Sequence, residues 1–318
     1  MNIKKIGLTA LAASLVSVSA YAGEMSVAGS ASVAVKNNSG TDGGKSITMG
    51  NQLTFSGGGE LDNGLNVALS FVLDHGDNVA SGFDSHSLTI SSDTLGSITV
   101  AGDGTGNAQS ALDTTAAGDI WDNGFTYTGA NTAYTALVGS DATNNKSVNY
   151  TLPTMMDDLS VAVSYSGQTT AVNSTTAFGV TYTGVEGLSV SYGVGEAGST
   201  TATAAADVTT MKASYAIGSF TAAVSNTEND RGSTGIDEEM SSFKLSYTVT
   251  DDLSVSYGEE THETSAQTVD EEFDAITVSY TTGGMTITAA QYNATGLANT
   301  AGSANEAARW KLGASFAF

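Results

Sequence analysis

Leu188-Ser189-Val190-Ser191-Tyr192 reads LSVSY, and the same five letters return at Leu253-Ser254-Val255-Ser256-Tyr257. A close variant, LSVAVSY, runs from Leu159 to Tyr165. Large apolar side chains alternate with small polar ones at a period of two, which in a strand places all the large ones on one face. Helical spacing would scatter them round a cylinder. Phe178/Val180/Tyr182, Phe243/Leu245/Tyr247/Val249 and Ile276/Val278/Tyr280 repeat the pattern. The unit of this chain is a two-faced strand.

Extended along the chain, the alternation predicts sixteen strands, at about 25–36, 46–57, 65–74, 83–91, 96–103, 146–152, 159–166, 175–183, 188–195, 208–217, 219–227, 240–249, 253–261, 272–281, 284–293 and 307–318. Most approach the roughly nine to eleven residues with which a tilted strand crosses a bilayer. Tight turns such as Gly218-Ser219, Thr250-Asp251-Asp252, Thr282-Gly283-Gly284 and Gly184-Val185-Glu186-Gly187 alternate with polar connections of roughly eight to thirteen residues. A soluble sandwich has no reason for that asymmetry. An up-and-down antiparallel barrel in an outer membrane has short turns on the periplasmic side and longer loops outside. An even strand count also returns both termini to the periplasm.

Bulk composition agrees. Glycine is abundant (37), proline nearly absent (1) and cysteine missing, which suits many strands joined by tight turns and no disulfide framework. Acidic residues number 33 against 10 Lys and Arg, for a net charge of −23. Such a chain repels nucleic acid and draws cations. Residues 1–22 have the three parts of a secretory signal peptide: Lys4 and Lys5, a short apolar run from Ile6 to Val18, and a small-x-small site at Ala20-Tyr21-Ala22. The mature domain is then 23–318, beginning at Gly23 or Glu24. Past residue 22 no apolar run is long enough for a spanning helix, a statement that leaves barrels open.

The face opposite the apolar one is Ser, Thr, Gly and Ala, with scattered charges. It would make a poor dry core and a good wall for a water-filled lumen. Tyr150, Tyr182, Tyr215, Tyr247 and Tyr280 fall near the ends of alternate strands, and Tyr165, Tyr192 and Tyr257 near the ends of the others. Two aromatic girdles at the membrane interfaces account for that spacing.

The chain closes on Trp310-Lys311-Leu312-Gly313-Ala314-Ser315-Phe316-Ala317-Phe318. Outer-membrane barrel proteins end on a signal of this form: a polar residue, any residue, Gly, two of any kind, then apolar or aromatic residues two apart, the last one terminal. Lys311, Gly313, Phe316 and Phe318 fit every fixed position. With these features the mature chain resembles, over its full length, the general diffusion porins of Gram-negative outer membranes, above all the sixteen-stranded alphaproteobacterial type. The resemblance implies that Phe318 is an assembly signal for the barrel-assembly machinery. It further implies a homotrimer in contact with outer-membrane lipid and lipopolysaccharide, passing small hydrophilic solutes. Small residues on the outward face of the first strand, Gly29 and Ala31, would let subunits pack closely.

Lys146-Ser147-Val148-Asn149-Tyr150-Thr151-Leu152-Pro153, followed by Leu159-Ser160-Val161, resembles the porin strand that follows the long third loop. By that likeness the stretch 104–145 folds into the lumen and sets the narrowest point. A second reading puts an extra hairpin near Phe125–Val138. The chain departs from the family in lacking an aromatic-Gly-Gly motif in this loop. Its arginines are only Arg231 and Arg309, so a basic wall falls to Lys36, Lys212, Lys244, Arg309 and Lys311.

Carboxylates gather in the expected loops. Asp103, Asp113, Asp119, Asp122 and Asp141 mark the third; Glu228, Asp230, Asp237, Glu238 and Glu239 another; Glu263, Asp270, Glu271, Glu272 and Asp274 a third group. At a constriction they would concentrate cations and exclude anions. The outer groups could hold Ca²⁺ or Mg²⁺ against anionic headgroups, although none has the ligand spacing of a dedicated calcium loop. No enzyme emerges. Gly102-Asp103-Gly104-Thr105-Gly106 precedes no helix and has no Lys for a phosphate loop, and His75, His86 and His262 have no paired spacing. The expected function is a passive, cation-preferring pore. The alternatives are a solute-specific channel for sugars, amino acids or phosphate, and a non-conducting structural or adhesive barrel.

Overall fold

The computed structural model describes residues 25–38, 44–74, 85–103, 107–112, 115–121, 147–154, 156–167, 173–197, 206–231, 236–302 and 305–318. The signal segment 1–22 and the stretch of the alternative hairpin lie outside them. The strands are β1 (Met25–Asn38), β2 (Gly44–Glu60), β3 (Asn66–Asp74), β4 (Ser85–Ser92), β5 (Gly96–Asp103), β6 (Ser147–Thr151), β7 (Leu159–Ser166) and β8 (Thr175–Val185). They continue as β9 (Leu188–Ala197), β10 (Ala206–Ile217), β11 (Phe220–Asp230), β12 (Glu238–Thr250), β13 (Leu253–Thr264), β14 (Glu271–Thr282), β15 (Met285–Thr295) and β16 (Ala307–Ala317). Each pairs antiparallel with its chain neighbours, and β1 pairs with β16 to close a sixteen-stranded barrel.

Closure removes every open edge, the condition under which a sheet can sit in hydrocarbon. The register fixes the faces. On β1 and β16, Val33 faces Ala314 and Val35 faces Leu312; Val35 and Leu312 are exposed on the outside, as are Trp310, Phe316 and Phe318. Stacked Phe55–Phe71, with ring centroids 5.0 Å apart, and Phe220–Tyr247, at 4.7 Å, bridge neighbouring strands on that same face. Apolar groups point outward on every side, the reverse of a soluble barrel.

Tight turns gather at the end that also holds Met25 and Phe318. Gly187, Gly218 and Gly283 take the left-handed conformation there, with φ of 77°, 57° and 55°, which two-residue hairpin turns need. Tyr150 caps another turn by donating to the Leu95 carbonyl at 2.8 Å. The opposite end carries connections 39–43, 75–84, 104–146, 167–174, 198–205, 231–237, 265–270 and 296–306.

Several of these connections are shorter than the alternation predicts, because the strands run on. Glu228, Asp230, Glu238, Glu239, Glu263 and Glu271, expected in loops, stand on β11 to β14. The ladder continues through them, pairing Glu228 with Glu239 and Glu239 with Glu263. Backbone hydrogen bonding needs no apolar side chain, so the strand outlasts its sequence signal.

Candidate functional site

The largest departure from a plain water-lined tube lies on the inner wall. Residues 107–112 and 115–121, from the connection between β5 and β6, lie flat against the inward faces of β7 to β15. Wall hydroxyls accept their backbone N–H groups one after another. Ser164 on β7 takes Ala108 at 2.9 Å, Ser225 on β11 takes Ala116 at 2.8 Å and Ser242 on β12 takes Ala117 at 2.9 Å. Gln109 donates through Nε2 to the Thr210 hydroxyl on β10 at 2.9 Å. At the far end Glu260 on β13 accepts the Trp121 amide at 3.0 Å and the Thr115 hydroxyl. Beyond it Ile120 packs with Met240, Phe273 and Tyr292 in the main apolar cluster, with Trp121 at its edge.

Small residues are what allow this belt to lie so close. A Cβ on Gly179 would stand 2.3 Å from the Ala108 carbonyl oxygen, and one on Gly258 would stand 2.9 Å from the Ala117 Cβ. The wall hydroxyls at 164, 166, 210, 225, 227 and 242 are buried. They were expected to face water, and the belt covers them instead. Gly179→Leu is therefore predicted to push residues 107–112 toward the axis, at a cost of about 1–3 kcal/mol of overpacking. The measurement is single-channel conductance of folded barrels, which should fall.

The candidate site residues divide as follows. Asp119 stands on the belt, partly exposed, with φ of 54°, and its carboxylate accepts the Thr115 amide at 3.0 Å. Asp103 ends β5, its backbone opposite His86 across a bulge. Asp113, Asp122 and Asp141 lie outside the described residues. Lys212 and Lys244 face inward on β10 and β12, and Lys244 lines a cavity of about 120 Å³ beneath the belt with Ala117 and Ile120. Lys36 and Lys311 are directly opposite on the β1–β16 seam, and Arg309 follows two residues above Lys311 on the same inward face. Lys311 lines a recess of about 340 Å³ there, with Thr286, Thr288 and Tyr292. Three of the five basic wall residues thus meet in one patch. Gly313, Phe316 and Phe318 end β16 at the seam, where the Phe318 amide donates to Gly29 at 2.9 Å and its carbonyl accepts from Gly29 at 2.7 Å.

Above the apolar band the outward positions turn acidic. Asp207 faces both Glu196 and Asp230 across the ladders, Glu228 faces Glu239, and Glu259 faces Asp274. Like charges directly opposite destabilise a sheet, so this collar is kept at a cost. The rim between β11 and β13 encloses a cavity of about 400 Å³ lined by Glu228, Asp230, Asp237, Glu238, Glu239, Glu263 and Asp270. Glu238 stands there, beyond the apolar band, with Arg231 at 3.9 Å. Burial pushes its carboxyl up to about 7, against the pull of Arg231. Among the described residues no three His, Asp or Glu side chains form a metal-holding group. His262 is buried beside Glu271, Nδ1 to Oε2 at 3.4 Å.

Glu260 escaped the sequence reading. Its signal was available: an inward-phase carboxylate on a strand whose preceding inward residues are Ser254, Ser256 and Gly258.

A family model described as Gram-negative porin matches residues 7–318. Among solved structures, the chain is similar to an anion-selective porin from Comamonas acidovorans, with TM-score 0.70 and 17% identity, covering 93% of this chain and 100% of that one. A loop-L8 deletion form of OmpT, an outer membrane protein of Vibrio cholerae, gives TM-score 0.68 and 20% identity over 93% and 99% of the two chains. The trimer form of in-vitro folded OmpT gives 0.67 and 19% over 93% and 100%. Among curated protein sequences there is no match.

Proposed function

Because this chain belongs to the Gram-negative porin family, integral outer-membrane barrels through which small hydrophilic solutes diffuse, we propose that its pore favours cations. The acidic rim carries the reading. Seven carboxylates line one cavity at the barrel rim, with Glu228, Asp230, Glu239 and Glu263 on its outer side and Glu238 on the inward phase, and the chain as a whole is strongly negative. Fixed charge of one sign at a pore entrance raises the local concentration of counter-ions and lowers that of co-ions. The solved Comamonas porin is described as anion-selective, so the shared fold does not decide the sign; the side chains do. Asp119 on the belt would add a carboxylate to the narrow zone, and Asp103, Asp113, Asp122 and Asp141 are proposed from the sequence to act with it, with Lys36, Arg309 and Lys311 as the basic wall.

The narrowest point belongs to the belt in this reading. A homotrimer follows from two features. The outward face of β1 to β5 carries aliphatic residues such as Val33, Ile47, Leu88 and Ile98, with Ala31, and no Tyr or Trp; Gly29, expected to meet a neighbouring subunit, is covered by the Phe318 ring instead. The girdle tyrosines begin at Tyr150 on β6. Interfacial aromatics anchor a surface to headgroups, and their lack on one sector suits contact with another subunit. OmpT has been solved in a trimer form. Docking of Phe318 at the barrel-assembly machinery, and of the acidic collar against lipopolysaccharide through divalent cations, complete the proposal.

A KCl gradient across a planar bilayer holding the refolded protein tests the charge sign. A reversal potential on the cation-selective side is expected. An anion-selective reversal would overturn the charge argument and leave the channel standing.

A further inference from the structure

The belt's seats on the wall are not equal. Ser164, Ser225 and Ser242 each hold one N–H through a neutral hydroxyl. Glu260 is 1% exposed and holds both ends of the turn 115–121. One of its oxygens takes the Thr115 hydroxyl hydrogen and the other the Trp121 amide at 3.0 Å, and the Ile120 amide also bonds it. The turn is closed on itself as well. The Thr115 hydroxyl oxygen accepts the amides of Asp119 at 2.7 Å and Gly118 at 3.1 Å, while Asp119 accepts that of Thr115. A carboxyl that accepts three directed bonds from one turn holds it more firmly than a hydroxyl that accepts one. The apolar contacts of Ile120 add grip, and they do not fix register as directed bonds do.

We propose that Glu260 is a positioning residue for permeation: it latches residues 115–121 against β11 to β14 and thereby sets the free cross-section of the pore. The turn already touches the wall, since a Cβ on Gly258 would stand within 2.9 Å of Ala117. Any departure from the seat therefore carries it toward the axis and takes area from the bore. Cation preference plays no part in this latch.

The test uses the whole chain with Trp310→Phe, a lipid-facing change that leaves Trp121 as the single tryptophan of the two. Glu260→Ala, Thr115→Val and their combination are refolded, and closed barrel is scored by its heat-modifiable gel mobility. Acrylamide quenching of Trp121 reports the turn directly, and single-channel recording reports the bore. In folded Glu260→Ala the quenching constant should roughly double, as a half-buried group becomes exposed. Current should flicker between the parent level and lower ones. Because Glu260 and Thr115 share one hydrogen bond, the double variant should fall short of the sum of the two single effects. Parent-like quenching with a steady parent-like current would overturn the latch, and so would effects of the two substitutions that simply add. Should Glu260→Ala not fold, Glu260→Gln keeps the volume and one acceptor, and should fall midway in both readouts; parent-like behaviour from it overturns the role equally. A parent barrel that folds and passes no current would count against the channel and leave the latch to be judged by Trp121 alone.

Discussion

Phe318→Ala is expected to reduce closed barrel in the outer membrane by roughly tenfold, the change in folded fraction produced by about 1.4 kcal/mol. Phe318 exchanges two backbone hydrogen bonds with Gly29 across the closing seam. Its ring lies over that glycine so closely that a Cβ there would stand 2.3 Å from the ring Cε2. The terminal side chain is thus both the last lipid-facing residue of β16 and a clasp on β1. Gly29→Leu fills the seat with the wrong group and should cause a similar loss. The two variants also separate a structural clasp from a recognition signal. Refolding into detergent involves no assembly machinery. There Gly29→Leu should still fail, whereas Phe318→Ala should recover in part if the ring is also read by that machinery. Unchanged barrel yield for Phe318→Ala in cells would end the signal reading, and unchanged yield for Gly29→Leu would end the clasp.

Charge reversal at the seam should give the largest change in selectivity. Lys36 and Lys311 face one another across the β1–β16 ladder with Arg309 close above, in a chain that is otherwise acidic. In bulk water two unit charges 4 Å apart interact by about 1 kcal/mol. A passing ion stands farther off and feels about a quarter of that from each charge, so turning Lys311 into Glu stabilises a cation by about 0.5 kcal/mol and destabilises an anion by as much. The cation-to-anion permeability ratio should then rise by roughly fivefold, the factor corresponding to about 1 kcal/mol. Reversal potentials of the Lys311→Glu barrel in a KCl gradient measure it, and the shift should shrink as ionic strength rises. A ratio equal to that of the parent would remove the seam from the permeation path.

The barrel was legible in the sequence wherever one face of a strand is apolar. Leu253, Val255 and Tyr257 announce β13 unaided, and short turns rich in Gly or Asp mark where most of the hairpins reverse. Legibility stops where the apolar band stops. From Glu259 to Thr264 the strand continues on hydrogen bonds alone, so Glu263 looked like a loop residue. The inner wall was harder. Ser164, Ser225 and Ser242 read equally well as water-facing hydroxyls or as seats for a peptide, because a backbone N–H has no letter of its own. Gly179 and Gly258 could be seen as inward-facing, but not that another segment needs their missing side chains. Of the acidic residues named for the narrow zone, Asp119 lies on the belt, and its carboxylate is spent partly on closing its own turn.

The belt also has a consequence for the order in which the molecule is made. Residues 107–121 precede in the chain every strand that seats them, from Ser164 on β7 to Glu260 on β13. When this segment is synthesised its dock does not exist, and no local partner can take its place. Contacts of such long sequence separation form slowly, after the loop entropy has been met. The seats lie together only once successive hairpins have curled into a wall, so docking has to be among the last events of maturation. A newly inserted barrel would then pass through a stage in which this segment lies unseated in the bore, with a current lower and noisier than that of the finished channel.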